Sequence, residues 1–285
     1  MASRQPLSVT ASRVRLEERL IFEALDRRGV GHEYVDTRRM HFTLDRRPEV
    51  GVGVLQREIS HTRSTYVARM LEFHGVPVVN GADVLELCGD KLRTTLALRR
   101  AGLPTPRAAL ATTPEAAMEA VAELGYPAVV KPVIGSWGHL GARLTDEDMA
   151  ETVFEHRTAL PGPINQIHYL QEYVDKPGRD IKAYVIGGEV VCAIYKMSDK
   201  WRTNTARGGT AVPCPVGPEL ERLLRAASVA VGGGILGIDV MESPDGRLLV
   251  NEVNHTPEFH GAVDATGADI AGAMVDYALS VLPMD

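Results

Sequence analysis

The segment 237–254 constrains the chain more than any other. Two apolar runs, 237–242 and 248–254, flank Ser243-Pro244-Asp245-Gly246-Arg247, and Pro-Asp-Gly is a turn signal. If the turn centres between Asp245 and Gly246, Asp239 lies directly across from Glu252. Opposed side chains on paired strands sit about 5 Å apart at Cβ, where like charges repel. Asn254, two residues past Glu252, shares its face. Two carboxylates and an amide oxygen held together need a cation, and an all-oxygen set suits Mg²⁺ beside nucleotide phosphates. A surface hairpin with acids toward water is the competing reading. A one-residue slip in register would separate the acids.

At 285 residues the chain can bury two or three packed units. A net charge of −6 argues against general nucleic-acid binding and leaves room for a local basic pocket. No apolar run approaches the roughly 20 residues of a membrane span, and the N-terminus lacks a signal peptide's apolar stretch. Cys88, Cys192 and Cys214 match no zinc spacing; so sparse a set fits a reducing cytoplasm, with the thiols as small buried hydrophobes.

The expected class is α/β with α+β elements, in three domains: 1–88, 89–165 and 166–285. Residues 1–10 read as a loose tail. A helix over 14–28, short strands near 33–35 and 51–55, a helix over 63–74 and the apolar run 76–79 predict a small parallel α/β unit. The stretch 37–48 carries Arg38, Arg39, Arg46 and Arg47 and reads as a solvated basic loop that could meet an acidic partner. Asp90 is placed to cap a helix running to Arg100, Thr113-Pro114 opens another that ends at Gly125, and Thr145 is expected to cap a third. Strands follow at 126–131 and 142–144. In the third unit, 167–174 reads as a strand, 181–186 and 189–197 form a hairpin about Gly187-Gly188, and helices cover 218–231 and 268–282.

Three further constellations carry chemistry. Lys131 ends an apolar strand just before Gly135-Ser136-Trp137-Gly138-His139-Leu140-Gly141. Glycines let backbone N–H groups approach phosphate oxygens, and the lysine adds a charge. Strand–Lys–Gly-loop–strand is neither the Walker nor the Rossmann pattern, since both of those lead into a helix. A plain hairpin turn with a surface lysine would look the same. Gln171-Glu172-Tyr173-Val174 and Gly178-Arg179-Asp180-Ile181-Lys182 offer a strand edge for a purine base and charges for ribose or phosphate, against a reading as routine strand-end charge. Lys196, Lys200, Arg202 and Arg207 crowd one segment with Asn204. Fixed cations of this kind stabilise a transferred phosphoryl group, and a solvated loop is the alternative.

Taken in order, Asp90-Lys91, Val129-Val130-Lys131-Pro132, the Gly-Ser-Trp-Gly loop, Gln171–Val174, Asp180, Lys182, Asp239 and Asn251-Glu252-Val253-Asn254-His255-Thr256-Pro257-Glu258-Phe259 resemble the ATP-grasp superfamily. Within it the resemblance is to the RimK-like ligases and their LysX/ArgX group, and it runs from Gln56-Arg57-Glu58-Ile59-Ser60-His61 to the last helix. It implies a three-domain ATP-grasp fold with ATP between the second and third domains. Lys91 and Lys131 would hold phosphates under a lid at 135–141 (Gly135, Ser136, Trp137, Gly138, His139). Glu172, Tyr173 and Val174 would line adenine, Asp180 and Lys182 would lie near the ribose and phosphates, and Gln171 and Asn251 would also be at the nucleotide. Arg202 and Lys131 would be catalytic, and Asp239, Glu252 and Asn254 would bind Mg²⁺, as two ions. Arg202, Asn204, Asn254, Thr256, Phe259, Gly261 and Ala262 would face substrate.

The implied reaction phosphorylates the terminal glutamate carboxylate of a small acidic amino-group carrier protein at the expense of ATP. The acyl phosphate then takes the amine of an acidic amino acid. Implied too are a homo-oligomer (dimer or tetramer) and a place in lysine- or arginine-type biosynthesis. Alternatives are a RimK-like ligase acting on a peptide or small molecule, and, more distantly, a nucleotide-binding regulator without turnover. The chain departs from the family twice. His139 stands where Arg is usual, so a charge contact would be either lost or made pH-sensitive. Gly261-Ala262 matches neither the Asn-Thr/Ser pair that goes with α-aminoadipate nor the Gly-Phe that goes with glutamate. Its glycine sides with glutamate.

Overall fold

The computed structural model describes residues 6–135, 138–198, 201 and 210–283. The first unit is a parallel sheet of β1 (Leu7–Ala11), β2 (His32–Asp36), β3 (Val54–Gln56) and β4 (Val78–Val79), in the order β2-β1-β3-β4. With it go helices α1 (Leu16–Arg27), α2 (His61–Phe73) and α3 (Ala82–Cys88). The expected N-terminal tail is therefore a central strand, buried along its length. Two of its five side chains, Ser8 and Thr10, are polar and fully buried, and such groups need partners. Here Ser8 donates to Glu33 (2.6 Å) and Thr10 to Gln56 (2.9 Å), so both buried hydroxyls are satisfied.

The second unit holds α4 (Lys91–Arg100), β5 (Ala108–Ala111), α5 (Pro114–Leu124), β6 (Ala128–Lys131), β7 (Ala142–Leu144), α6 (Glu147–Thr158) and β8 (His168–Glu172). Its sheet, β5-β8-β6-β7, is antiparallel. Asp90 and Thr113 cap α4 and α5 as expected. The cap of α6 is Asp146 rather than Thr145. The Asp146 carboxylate accepts from the Met149 amide at 2.9 Å, and the Thr145 hydroxyl is spent on Asp146 itself. The strand expected to open the third unit, β8, pairs here instead with β5 and β6. Its Leu170 packs with Phe154 and Val121 beneath α5 and α6.

The third unit is the antiparallel sheet β11-β10-β9-β12-β13, built from β9 (Arg179–Ile186), β10 (Glu189–Met197), β11 (Thr210–Pro213), β12 (Ile235–Glu242) and β13 (Leu248–Asn254). Gly187 and Gly188 join β9 to β10 with φ of +59° and +86°, the pair of positive values that matches the twist of the strands. One face packs on α7 (Pro218–Ala230). The other meets α8 (His260–Thr266) and α9 (Ile270–Val281), which share a core with α1. Buried Asn80 ties the first unit to the third: its amide donates to the carbonyls of Ile235 and His255 and accepts from the Ile235 N–H, each at 2.8 Å. Among the described residues, no helix is long and apolar enough to cross a membrane.

Candidate active site

The acidic hairpin pairs Asp239 with Glu252 and Gly237 with Asn254. The pairing is as expected, but the route to it is not. The turn closes from the Ser243 N–H to the Arg247 carbonyl (2.9 Å), so its centre is Asp245 and Val240 faces Val250. That register would set Asp239 against Asn251. A bulge beside Val240 inserts Asn251 as an extra residue and restores the Asp239–Glu252 pair. The same bulge turns Asn251 and Glu252, which strict alternation would send to opposite faces, into one cavity of about 460 Å³.

Cations meet both acids. Lys196 Nζ lies 2.5 Å from Asp239 and Lys91 Nζ lies 3.5 Å from Glu252. The Asn254 amide also donates to Asp239 at 2.9 Å. Burial alone would push the Asp239 carboxyl up. The charges of Lys196 and Lys182, with hydrogen bonds from Lys196 and Asn254, hold it below its ordinary value instead. Asp239 is thus an anion at neutral pH in a place that draws cations. Among the described residues no three or more His, Cys, Asp or Glu side chains form a metal cage. What the hairpin does present to the cavity is two carboxylates and an amide oxygen, Asp239, Glu252 and Asn254, the donor chemistry of Mg²⁺, which takes one or two carboxylates and completes its shell with water and phosphate. The residues present fit the ion.

The rest of this wall comes from the second unit. Lys131 Nζ donates to Gln171 Oε1 (2.6 Å) and to Asn251 Oδ1 (3.0 Å), tying β6, β8 and the bulge together. Burial pushes Lys131 down to about 8, against the pull of Glu252. Lys91, the first residue of α4, donates to the Gly135 carbonyl at 2.6 Å, and so touches the glycine loop between β6 and β7. Gly135, Gly138 and His139 line the cavity, as do Glu172, Tyr173, Val174, Asp180 and Lys182. Arg107 holds the Glu172 carboxylate at 2.8 Å, and Lys176 holds Asp180 at 2.7 Å. Ser136, Trp137, Lys200, Arg202, Asn204 and Arg207 lie outside the described residues.

Three expected substrate residues do not reach the cavity. Phe259 is 1% exposed and lies 5.8 Å from the Arg57 guanidinium; Ala262 is fully buried in the core; Gly261 contributes nothing to the lining. Thr256 does line it. In their place the first unit supplies a wall to which the sequence reading gave no role in the site: Arg15, Ser60, His61 and Thr62, facing Pro257 and Glu258. Ser60 caps α2, so the positive end of that helix opens on the cavity. His61 and His255 lie with ring centres 6.0 Å apart, and burial pushes His255 down to about 3, so both stay neutral. The only local signal for this wall was the Ser60 cap.

Residues 88–278 match the RimK-like ATP-grasp domain and residues 7–87 the LysX preATP-grasp domain. A glutamate–LysW ligase ArgX of Sulfolobus acidocaldarius is 34% identical over 266 residues, 93% of this chain and 94% of that protein. An alpha-aminoadipate–LysW ligase LysX of Saccharolobus solfataricus is 36% identical over 238 residues, 83% of this chain and 86% of that protein. The crystal structure of a RimK domain ATP-grasp protein from Sphaerobacter thermophilus superposes with a TM-score of 0.82 at 27% identity, covering 95% of this chain and 98% of that one. With a cation-drawing acidic hairpin and five lysines lining one cavity, and with these matches along nearly its whole length, the chain belongs to the RimK-like ATP-grasp family and is an ATP-dependent carboxylate–amine ligase.

Proposed function

We propose that the enzyme joins the amine of an acidic amino acid, glutamate or α-aminoadipate, to the C-terminal glutamate carboxylate of an amino-group carrier protein, with release of ADP and phosphate. The observation that carries this reading is the cavity itself. It gathers Lys91 and Lys131 from the second unit and Asp239 and Glu252 from the third against a wall from the first. The relatives named for LysW ligation cover most of the chain and supply the substrate class.

In this reading Glu172, Tyr173 and Val174 receive the adenine, Asp180 and Lys182 the ribose and phosphates, and Lys91 and Lys131 the phosphate oxygens. Asp239, Glu252 and Asn254 would hold Mg²⁺, as two ions, which would neutralise charge building on the transferred phosphoryl group. Lys131 supplies a fixed cation at that group, with Arg202 and Asn204 assigned beside it. The glycine loop covers the site, which keeps water from the acyl phosphate before the amine arrives. No covalent enzyme nucleophile enters the scheme. The exposed Arg38, Arg39, Arg46 and Arg47 are a docking face for an acidic carrier. Cytoplasmic location and self-association as a dimer or tetramer belong to the same reading.

The test is intact-protein mass of a carrier ending in glutamate after incubation with enzyme, ATP, Mg²⁺ and either amino acid. Gain of one amino-acid residue with one of the two is expected. ADP release with no gain would favour the second reading, glutamate addition to a small molecule. A tetrahydromethanopterin:alpha-L-glutamate ligase of Methanosarcina acetivorans, 32% identical over 76% of this chain, speaks for that alternative.

A further inference from the structure

Arg15 is the first unit's contribution of fixed positive charge to the cavity, and the reaction scheme above leaves it without a task. It sits just before α1 and its guanidinium is clamped. Glu18 accepts from Arg15 Nε at 2.9 Å and from its Nη2 at 2.8 Å, so one edge of the fork is spent. The remaining Nη1 faces Glu258 at 3.4 Å, a loose contact beside two tight ones. Glu258 keeps 40% of its side chain exposed, and both residues line the cavity.

One buried residue fixes both partners. Arg57, 1% exposed, donates to Glu18 at 3.2 Å and to the Pro257 carbonyl at 3.1 Å. The backbone carbonyl of Glu258 accepts from the Tyr184 hydroxyl at 2.8 Å. Arg15 and Glu258 are therefore held at a set spacing by Glu18, Arg57 and Tyr184, none of which lines the cavity. An α-amino acid carries its carboxylate and ammonium on a single carbon. An Arg–Glu pair about one hydrogen bond apart presents the complementary charges. Planar guanidinium suits a carboxylate better than any ammonium does.

We infer that Arg15 and Glu258 form the seat of the amino-acid substrate, Arg15 Nη1 taking its α-carboxylate and Glu258 its α-ammonium. This rests on the ligase reading above and adds to it the residues that hold the amine. The incoming zwitterion replaces the loose Arg15–Glu258 contact, and the tight Arg15–Glu18 pair stays. Arg57 is a positioning residue. The side-chain carboxylate that makes the amino acid acidic lies beyond this pair, so the pair selects α-amino acids in general and leaves the choice of chain length to other groups.

The test is titration calorimetry on enzyme loaded with Mg²⁺ and a non-hydrolysable ATP analogue, comparing wild type, Arg15→Lys and Glu258→Gln. The ligands are glutamate, α-aminoadipate, glutamate 1-amide and glutamine. At least one acidic amino acid binds the wild type. Each variant weakens it by about tenfold or more, the worth of a charged hydrogen bond, while the analogue's affinity stays put. The melting temperature holds in Glu258→Gln and falls in Arg15→Lys, whose single ammonium cannot keep both bonds to Glu18. Glutamate 1-amide, which lacks the α-carboxylate, binds wild type and Arg15→Lys alike; glutamine still tells them apart. Wild-type affinity in both variants overturns the inference. So does loss of nucleotide affinity in step with amino-acid affinity, a discrimination that follows glutamine instead of the 1-amide, or a wild type that binds neither amino acid. Glu258→Gln is isosteric and half-exposed, so it tests the seat even if Arg15→Lys fails to fold. Failure of the ligase reading looks different: no mass gain on the carrier, with the Arg15-dependent binding intact.

Discussion

The two walls of the cavity are built by different rules. The acidic wall is local. Asp239, Glu252 and Asn254 share one hairpin, and a hydrogen-bonded ladder carries the position of one strand to the other. The first-unit wall joins Arg15 to Glu258 across 243 residues, and its geometry comes from Arg57, which is buried behind it. A ladder propagates register, so charge on one strand says what lies opposite. A buried guanidinium says nothing about its partners until the chain is folded. The walls should therefore fail differently: damage to the hairpin should stop turnover, and damage to the first-unit wall should weaken the amino acid alone.

The largest effect is expected at Glu252. Glu252→Ala removes one carboxylate of the cation pair and leaves Lys91 facing the cavity without its 3.5 Å partner. Turnover, read as ADP release, should fall by about a hundredfold or more. Glu252 is half-buried on the cavity side, so the melting temperature should hardly move. Retained turnover would break the comparison at once, because the hairpin would then be a scaffold like the other wall.

Lys131 sharpens it through pH. Burial holds its ammonium at about 8, against an ordinary 10.5. The folded state thus favours the neutral form more than the unfolded chain does. Below about pH 8 the fold carries the full cost of the buried charge, and stability recovers as pH rises from 8 toward 10.5. Nucleotide phosphate reverses the preference, since an anion favours the ammonium. Affinity for an ATP analogue should fall as pH rises above 8, by up to about tenfold per unit, with uptake of a proton on binding. Calorimetry in buffers of different ionisation heat measures both. Lys131→Met should flatten the profile. A wild-type affinity constant from pH 7 to 9.5 would detach Lys131 from the phosphates.

Those residues show how far a sequence can be read here. The caps at Asp90 and Thr113, the Gly187-Gly188 turn and the opposed acids were legible because each is set by a few neighbouring residues. The acids were paired from a turn centre half a residue off. The bulge at Asn251 cancelled that error, and nothing in Leu-Leu-Val-Asn-Glu-Val-Asn marks where an extra residue is tolerated. Strand β1 was missed because its hydroxyls are satisfied by Glu33 and Gln56, which are distant in sequence. Strand β8 was given to the wrong sheet because pairing partners are a tertiary choice, and α3, α8 and β11 were not foreseen at all.

The smallest predicted effect bears on the same contrast. Gly261 was expected to track the amino acid, as part of the pair after Glu258-Phe259-His260. It sits in the first turn of α8 and does not line the cavity, and a Cβ built there meets nothing within 4 Å. Gly261→Ala should leave the ratio of glutamate to α-aminoadipate turnover unchanged. It should also stabilise the fold by up to about 1 kcal/mol, through lost freedom in the unfolded chain, which a melting curve will resolve. A shifted ratio would mean that α8 moves toward the substrate when it binds. The choice of chain length, which the clamped Arg15–Glu258 seat leaves open, would then fall to a segment that this conformation packs against the core.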